Sequence, residues 1–371
     1  LDDIPDREES FWHQVQALLP SETLEGRGIL MQGSDGLNYQ EPKQEIPGKA
    51  QSPLMPLETR GGALLRDGGT FQSWLPPGAR LDNRPDPWAG SVNSVAGTTH
   101  IEPTSRPEWA DAMGRDRFGL WVEVIFKGVT QRMRWIPPGR FLMGAAKDEP
   151  EADADAKPQH WVTLTQGYWL ADTPCTQELW HAVMNEDPSH FKGTALPVES
   201  VTFKRVEQFC RKLTKLDRSP PSEKNGYRLP TEAQWEYACR AGGHDETYNR
   251  PWEAGALDQI AWYGNSPGDK TQPVKGKRCN RWGLHDMLGN VWELCSDMNE
   301  PYKAEAQIDP IGKGSERVYR GGSCWVVAGN VRPAYRLWWF DEHVAFRGLG
   351  FRLSRGHAAQ DRSGIGGADG A

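Results

Sequence analysis

The sequence lacks several features that would assign it to a broad class at once. No apolar run approaches the roughly 20 residues of a membrane span, and no period of about 20–50 residues repeats as in a solenoid. The net charge is −7 over 371 residues, without the basic stripe that binds nucleic acid. We therefore predict a protein with no membrane span and no nucleic-acid partner.

Cysteine is sparse, and its six copies form neither a CxxC pair nor a dense disulfide pattern. Such usage is typical of reduced, buried thiols rather than of a disulfide-stapled secreted domain. We expect a cytoplasmic protein on this ground. A cell-surface location is the alternative, because the chain begins at Leu1 instead of a methionine.

Apolar residues make up only 37% of the chain, whereas glycine (40 residues) and proline (28 residues) are abundant. This balance argues against helical bundles and doubly wound sheets, and it favours a domain rich in irregular backbone. The 17 tryptophans compensate for the low apolar content, because each large ring buries on the order of 200 Å² when enclosed.

Composition divides the chain into three segments. Residues 1–108 are rich in Gly, Pro, Ser and Asn, and we expect this extension to pack partly on the main domain. Ordered patterns run over residues 109–355, which we predict to be one domain. Residues 356–371 are predicted to form a flexible tail.

Local patterns predict elements within the ordered segment. Residues 121–126 and 132–136 alternate in polarity on either side of Gly128, which predicts a β-hairpin. Thr231 stands at the N-cap position of a helical pattern and Gln234 at its third residue, which predicts a capping box.

The acidic run at residues 148–155 raises the question of a calcium loop. It lacks the glycine and the final glutamate of a helix–loop–helix calcium site. We therefore predict a solvated loop there.

Six motifs follow one another along the chain: WIPPGRFLMG (135–144), PVE (197–199), RLPTEAQWEYA (228–238), GLHDMLGNVWE (283–293), RGGS (320–323) and GFR (350–352). Their content and order resemble the formylglycine-generating enzyme (sulfatase-modifying factor) family over residues 115–355. The resemblance implies an α+β class and a C-type-lectin-like fold, with short helices, antiparallel strands and long loops.

The resemblance also identifies which catalytic groups are missing. Formylglycine generators hold copper with two cysteines after the Gly-Gly-Ser turn, and the corresponding positions here are Val326 and Val331. The sulfoxide-forming branch uses three histidines to hold iron, and no H-x₃-H-x-E motif occurs here. We therefore expect no copper, no iron and no enzymatic activity.

For one metal site of the family, this chain has the corresponding residues. In the family the segment that corresponds to Asp286, Gly289, Val291 and Glu293 binds calcium, and hard oxygen ligands of this mixed kind suit that ion. The resemblance therefore predicts a structural calcium. The alternative is that the two carboxylates only accept hydrogen bonds from backbone amides of a turn.

Residues 317–353, here called the cassette, resemble the diversified cassette of the variable proteins of diversity-generating retroelements. RGGS, RPAYR (332–336) and GFRL (350–353) supply the fixed parts, and apolar residues without helical or strand period fill the gaps. Aromatic side chains give rigid contact area, as in antibody loops. The predicted ligand-binding residues are Trp325, Val326, Val327, Gly329, Leu337, Trp338, Trp339, Phe340, His343, Val344, Phe346 and Arg347.

The sequence thus predicts a non-enzymatic protein that presents a diversified C-terminal surface to an unknown protein ligand. Two alternatives stay open. One is a formylglycine-generating-enzyme-like oxidase or modifying enzyme on the same scaffold. The other is a recognition module of a larger signalling or defence protein.

Overall fold

The computed structural model describes residues 103–356, apart from residues 151, 218–225, 254, 265, 269 and 340–343. Most of the predicted extension (1–108) and of the predicted tail (356–371) lies outside these residues, so both remain predictions. Within the described part of the chain, no helix is long and apolar enough to cross a membrane.

The structure is α+β, which confirms the predicted class. The described strands are β1 (Ala112–Asp116), β2 (Gly119–Phe126), β3 (Val129–Ile136), β4 (Gly139–Met143), β5 (His160–Leu164), β6 (Tyr168–Ala171), β7 (Tyr227–Arg228), β8 (Trp292–Met298), β9 (Gln307–Ile308), β10 (Arg317–Arg320), β11 (Arg336–Trp339), β12 (Leu349–Gly350) and β13 (Ser354–Gly356). The α-helices are α1 (Gln177–Met184), α2 (Phe203–Lys215), α3 (Glu232–Cys239), α4 (Glu246–Asn249) and α5 (Ala256–Ile260).

The predicted hairpin forms the start of a six-stranded sheet with the order β1-β2-β3-β6-β13-β7. Phe126 pairs with Val129, which leaves a two-residue turn of Lys127 and Gly128 with φ angles of 49° and 88°. Positive φ at both turn residues matches the twist of the flanking strands, and glycine adopts it without strain.

The capping box predicted at α3 is present. Thr231 Oγ1 accepts from the Gln234 amide at 3.1 Å, and Gln234 Oε1 accepts from the Thr231 amide at 3.1 Å. Every residue of α3 is buried, including Glu232 and Glu236. Two carboxylates on a buried helix require cationic partners, and the cassette supplies them.

The cassette lies in a four-stranded sheet with the order β11-β10-β8-β12. β10 and β11 pair antiparallel from Arg317–Trp339 to Arg320–Arg336, and β12 pairs parallel with β8 through Gly350 and Glu293. The expectation of irregular backbone is therefore wrong for residues 336–339. The sequence Arg-Leu-Trp-Trp shows no alternation because β11 is an edge strand whose pairing partner fixes its conformation. A third sheet has the order β4-β5-β9.

Candidate functional site in the C-terminal cassette

Two arginines of the cassette are held by the carboxylates of α3. Arg320 is fully buried, and its guanidinium donates to Glu232 Oε1 at 3.2 Å and to Glu236 Oε2. Arg336, 3% exposed, donates to both oxygens of Glu232 at 2.7 and 3.0 Å. Charge-assisted bonds of this kind are short and directional, so they fix the backbone of β10 and β11 against α3.

The acidic loop at residues 148–155 contacts the cassette, so the prediction of a solvated loop holds only in part. Asp148 is exposed, whereas Glu149 is buried. Glu149 is 6% exposed and accepts from Arg332 Nη1 at 3.0 Å. Asp155 accepts from the Trp338 indole N–H at 2.9 Å, and its carbonyl accepts from Arg336 Nη1 at 3.0 Å. Burial raises the pKa of Glu149, and the nearby Arg240 and Arg332 oppose that shift. Glu149 of the loop thus pairs with the positive charge of Arg332 in the cassette.

Arg352, at the end of the cassette, is fully buried against the predicted calcium segment. Its Nε and Nη2 donate to the two carboxylate oxygens of Glu293, both at 2.6 Å. Nη2 also donates to the carbonyl oxygens of His285 and Asp286 at 2.9 and 3.2 Å. The side chains of Arg320, Arg332, Arg336 and Arg352 are called the frame arginines below.

Several residues between the frame arginines are more exposed than the arginines. Val327 is 38% exposed. The other predicted ligand-binding residues that are partly exposed are Trp325, Gly329, Leu337, Trp338, Trp339, Val344, Phe346 and Arg347. With Val327 these nine are called the contact residues. Phe340 and His343 lie outside the described residues.

Val326 differs from its predicted role, because it is only 8% exposed and packs in the hydrophobic core. Its carbonyl accepts from the Gly264 amide at 3.0 Å. A Cβ added to Gly322 would meet Cγ2 of Val331 at 3.1 Å and Cγ2 of Val326 at 3.2 Å. The two valines therefore converge on one point, as a metal-binding cysteine pair would, but their hydrocarbon side chains do not fit copper.

Some contact residues also touch aromatic rings elsewhere in the domain or within the cassette. The Trp325 ring lies 5.5 Å from that of Phe191 at an interplanar angle of 34°, and the Phe346 ring lies 6.3 Å from that of Tyr319. Leu337, Trp339 and Phe346 pack against the core. Sequence reasoning missed Phe191, because its loop lies far from the cassette along the chain.

The predicted calcium segment is occupied by internal bonds. Both oxygens of Glu293 accept from Arg352, and Oε2 also accepts from the Trp235 indole at 2.7 Å. The Gly289 carbonyl accepts from the Val291 amide at 2.9 Å. Among the described residues, no cluster of three or more His, Cys, Asp or Glu side chains could hold a metal ion. As arranged here, the four residues do not fit calcium, and the calcium site stays a prediction.

Asp286 is the carboxylate of that segment without an ion pair to Arg352. Its Oδ2 accepts from the Lys275 amide at 2.8 Å, and its Oδ1 is 3.5 Å from Asn290 Nδ2. Burial raises the pKa of Asp286 to about 6. A carboxyl group that is desolvated in this way favours its neutral form.

Comparison with known proteins identifies the family to which this chain belongs. The model of the sulfatase-modifying factor enzyme 1-like domain matches residues 126–357. The chain belongs to this family. It is 36% identical over 296 residues to the formylglycine-generating enzyme of Thermomonospora curvata, covering 72% of this chain and 84% of that protein. It is 28% identical over 243 residues to the chaperone protein LppX of Paenibacillus barcinonensis, covering 52% and 81%.

A solved structure with a similar fold is that of Treponema denticola variable protein 1. The TM-score is 0.56 at 30% identity, and the match covers 63% of this chain and 98% of that one. Together with the family match, this likeness confirms the C-type-lectin-like fold of the formylglycine-generating-enzyme type.

The prediction that the chain is not an enzyme is contradicted by its relatives. Besides the formylglycine-generating enzyme, hercynine oxygenase of Mycolicibacterium thermoresistibile is 28% identical over 260 residues, which is 55% of this chain and 57% of that protein. The prediction rested on the absence of the copper-binding cysteine pair and of the iron-binding histidines. Their absence does not exclude a reaction that uses other groups of the same scaffold.

Proposed function

We propose that the contact residues of the cassette form the surface with which this protein binds a protein partner. The observation that carries the proposal is the division within the cassette. All four frame arginines are at most 5% exposed and bind carboxylates outside the cassette, whereas the nine contact residues between them reach the surface. Likeness to a protein named as a variable protein supports this reading.

This division lets contact side chains change without loss of the fold. Burial and ion pairing of the frame arginines fix the backbone of the cassette, so its conformation does not depend on the contact side chains alone. Half-exposed tryptophan and phenylalanine side chains supply large contact area at low entropic cost. Diversification of the cassette by a retroelement is part of the proposal, and it is tested in the neighbouring DNA by a near-identical repeat that differs only at adenines.

A matched pair of variants tests the binding surface. The surface variant carries Trp325→Ser, Val327→Ser and Val344→Ser, which spares the contact residues that pack against the core. The control variant carries Ile125→Ser, Leu142→Ser and Ile308→Ser, three exposed apolar residues outside the cassette. Cross-linking in the native cell extract should yield a protein that the wild type and the control variant capture and the surface variant does not. A partner retained by the surface variant would overturn the proposal.

The second candidate function is a formylglycine-generating-enzyme-like modifying reaction, which the 36% identical relative favours. The full chain with a cysteine-containing peptide, assayed with and without added copper, would then consume oxygen and convert the cysteine to an aldehyde, detectable by mass spectrometry. Turnover that survives in the surface variant would assign catalysis to groups other than the contact residues.

A further inference from the structure

A cleft of about 300 Å³ lies at the start of α3, lined by residues of β4 and β5, by Asp297 near the end of β8 and by residues between 300 and 313. None of its lining residues belongs to the cassette. Its volume is at the lower end of the range for small-molecule sites, which is about 300–1,000 Å³. Its polar and aromatic lining includes His160, Asp297, Glu300, Tyr302, Lys303 and Lys313.

Asp297 is a buried carboxyl group, 3% exposed, that lines this cleft without an ion pair within the described residues. Its Oδ1 accepts from the Glu232 amide at 2.9 Å and from Ser296 Oγ at 3.1 Å. Its Oδ2 has one long contact, 3.4 Å to the Gly312 amide. Glu232 beside it forms ion pairs with Arg320 and Arg336, whereas Asp297 forms none within the described residues, although the charge of Arg228 also acts on it.

His160 and Tyr302 form a wall of the cleft. His160 is 4% exposed, and its Nδ1 lies 3.1 Å from the Pro158 carbonyl, which can only accept. Nδ1 therefore carries the proton in the neutral ring, and Nε2 is left as an acceptor. The Tyr302 ring meets the His160 ring edge-on at 4.8 Å. Both side chains line the cleft, so this wall of it is aromatic.

The rim of the cleft carries the opposite charge. Lys303 Nζ pairs with Glu300 at 3.0 Å, and Glu300 also accepts from the Lys313 amide at 3.2 Å. The Lys313 side chain is exposed, and its ammonium group has no ion pair among the described residues. A carboxyl floor and an ammonium rim therefore face the same small space.

We propose that this cleft binds a small zwitterion, whose ammonium group pairs with Asp297 and whose carboxylate meets Lys313. A buried carboxylate gains most from a partner that brings the missing charge with it. Rim lysines repel a ligand that carries only an ammonium group, and Asp297 with Glu300 repels one that carries only a carboxylate. The two ends of the cleft together select a molecule with both groups.

The pH dependence of binding follows from the state of Asp297. Burial, together with the charge of Glu232, raises its pKa to about 7. The ammonium group of the ligand binds the ionised form, so binding releases a proton and affinity increases as pH rises through neutrality. The other charged or titratable groups around Asp297 are Glu232, Arg228, Cys295, His160, Glu300, Tyr302, Lys303 and Lys313.

Calorimetric titration of the full chain with three matched probes tests the proposal: γ-aminobutyrate, n-butylamine and butyrate. We expect saturable binding of γ-aminobutyrate, weaker binding of butylamine and none of butyrate. Asp297→Asn should weaken γ-aminobutyrate binding by about tenfold or more, in line with loss of a charge-assisted contact. It should also remove the pH dependence.

Lys313→Gln keeps the test decisive if the Asp297 variant does not fold, because Lys313 is exposed. It should weaken γ-aminobutyrate binding, because the contact with the ligand carboxylate is lost, and it should slightly strengthen butylamine binding, because one repelling charge is removed. The matched control is Lys215→Gln, an exposed lysine at the end of α2, which should bind all probes like the wild type. Absence of saturable γ-aminobutyrate binding, equal binding of butyrate, or no effect of Lys313→Gln would each overturn the proposal.

Discussion

The cassette has two sides that differ in how they contribute to the protein. On the inner side, the frame arginines reach across the domain to Glu232, Glu236, Glu149 and Glu293, and little of any guanidinium meets water. On the outer side, aromatic and aliphatic side chains reach the surface next to the Phe191 loop. A segment can thus be strongly fixed through charge and still present apolar side chains at the surface.

The largest expected effect comes from breaking the inner side. Arg320→Ala leaves Glu232 and Glu236 buried with one cation fewer, and removal of one partner from a buried ion pair costs about 3–5 kcal/mol. Urea unfolding should show that loss. Arg250→Ala is the control, because the ion pair of Arg250 with Asp148 is exposed and worth about 0–1 kcal/mol. Equal stability of the two variants would show that the buried frame arginines stabilise the fold no more than an exposed ion pair does.

A smaller effect is expected where the acidic loop meets the inner side. Glu149→Gln removes the charge that faces Arg332 but keeps a hydrogen-bond acceptor, so we expect a loss of about 1–3 kcal/mol. Asp148→Asn, at an exposed position of the same loop, is the matched control and should change stability by less than about 0.5 kcal/mol. Unchanged stability of Glu149→Gln would show that the contact between Glu149 and Arg332 does not stabilise the fold.

The pH dependence of stability sharpens the comparison, because buried carboxyl groups without ion pairs behave unlike the paired ones. Burial raises the pKa of Asp286 to about 6 and that of Asp297 to about 7, both above the value of about 3.9 in the unfolded chain. The folded state therefore holds more protons in this range, and their contribution to the unfolding free energy decreases as pH rises from about 4 to about 7. Asp297→Asn should flatten that slope in urea titrations, and an unchanged slope would contradict the assignment.

The smallest expected effect concerns metal. Because Arg352 provides the positive charge beside Glu293, a chelator should leave the melting temperature unchanged, and added calcium should not raise it. Differential scanning fluorimetry with EDTA and with calcium measures this directly. A calcium-dependent rise would show that the segment from Asp286 to Glu293 rearranges around the ion, and it would restore the prediction drawn from the family resemblance.

Local signals in the sequence predicted the elements that local interactions form. The capping box of Thr231 and Gln234 and the turn at Gly128 each depend on residues within a few positions, so both could be identified without the fold. β11 could not, because its conformation depends on pairing with β10 and its residues show no alternation.

The sequence predicted which cassette positions are buried frame and which reach the surface, but it did not predict the partners that the frame arginines bind. The division into frame and contact positions was predicted from the family resemblance, and nine of the twelve predicted ligand-binding residues do reach the surface. The partners of the frame arginines lie 59 to 183 residues away along the chain, at Glu293 and Glu149 in the extreme cases. Such separations leave no local pattern, which is why the role of the acidic loop and the burial of Val326 were missed.

The most direct test of the division within the cassette is urea unfolding of the surface variant, Trp325→Ser with Val327→Ser and Val344→Ser. The account predicts a single cooperative transition and a total loss of about 2 kcal/mol or less, since partly exposed substitutions cost little each. Loss of the cooperative transition, or a loss as large as that of Arg320→Ala, would show that the contact residues hold the fold. That result would contradict the separation of frame from binding surface.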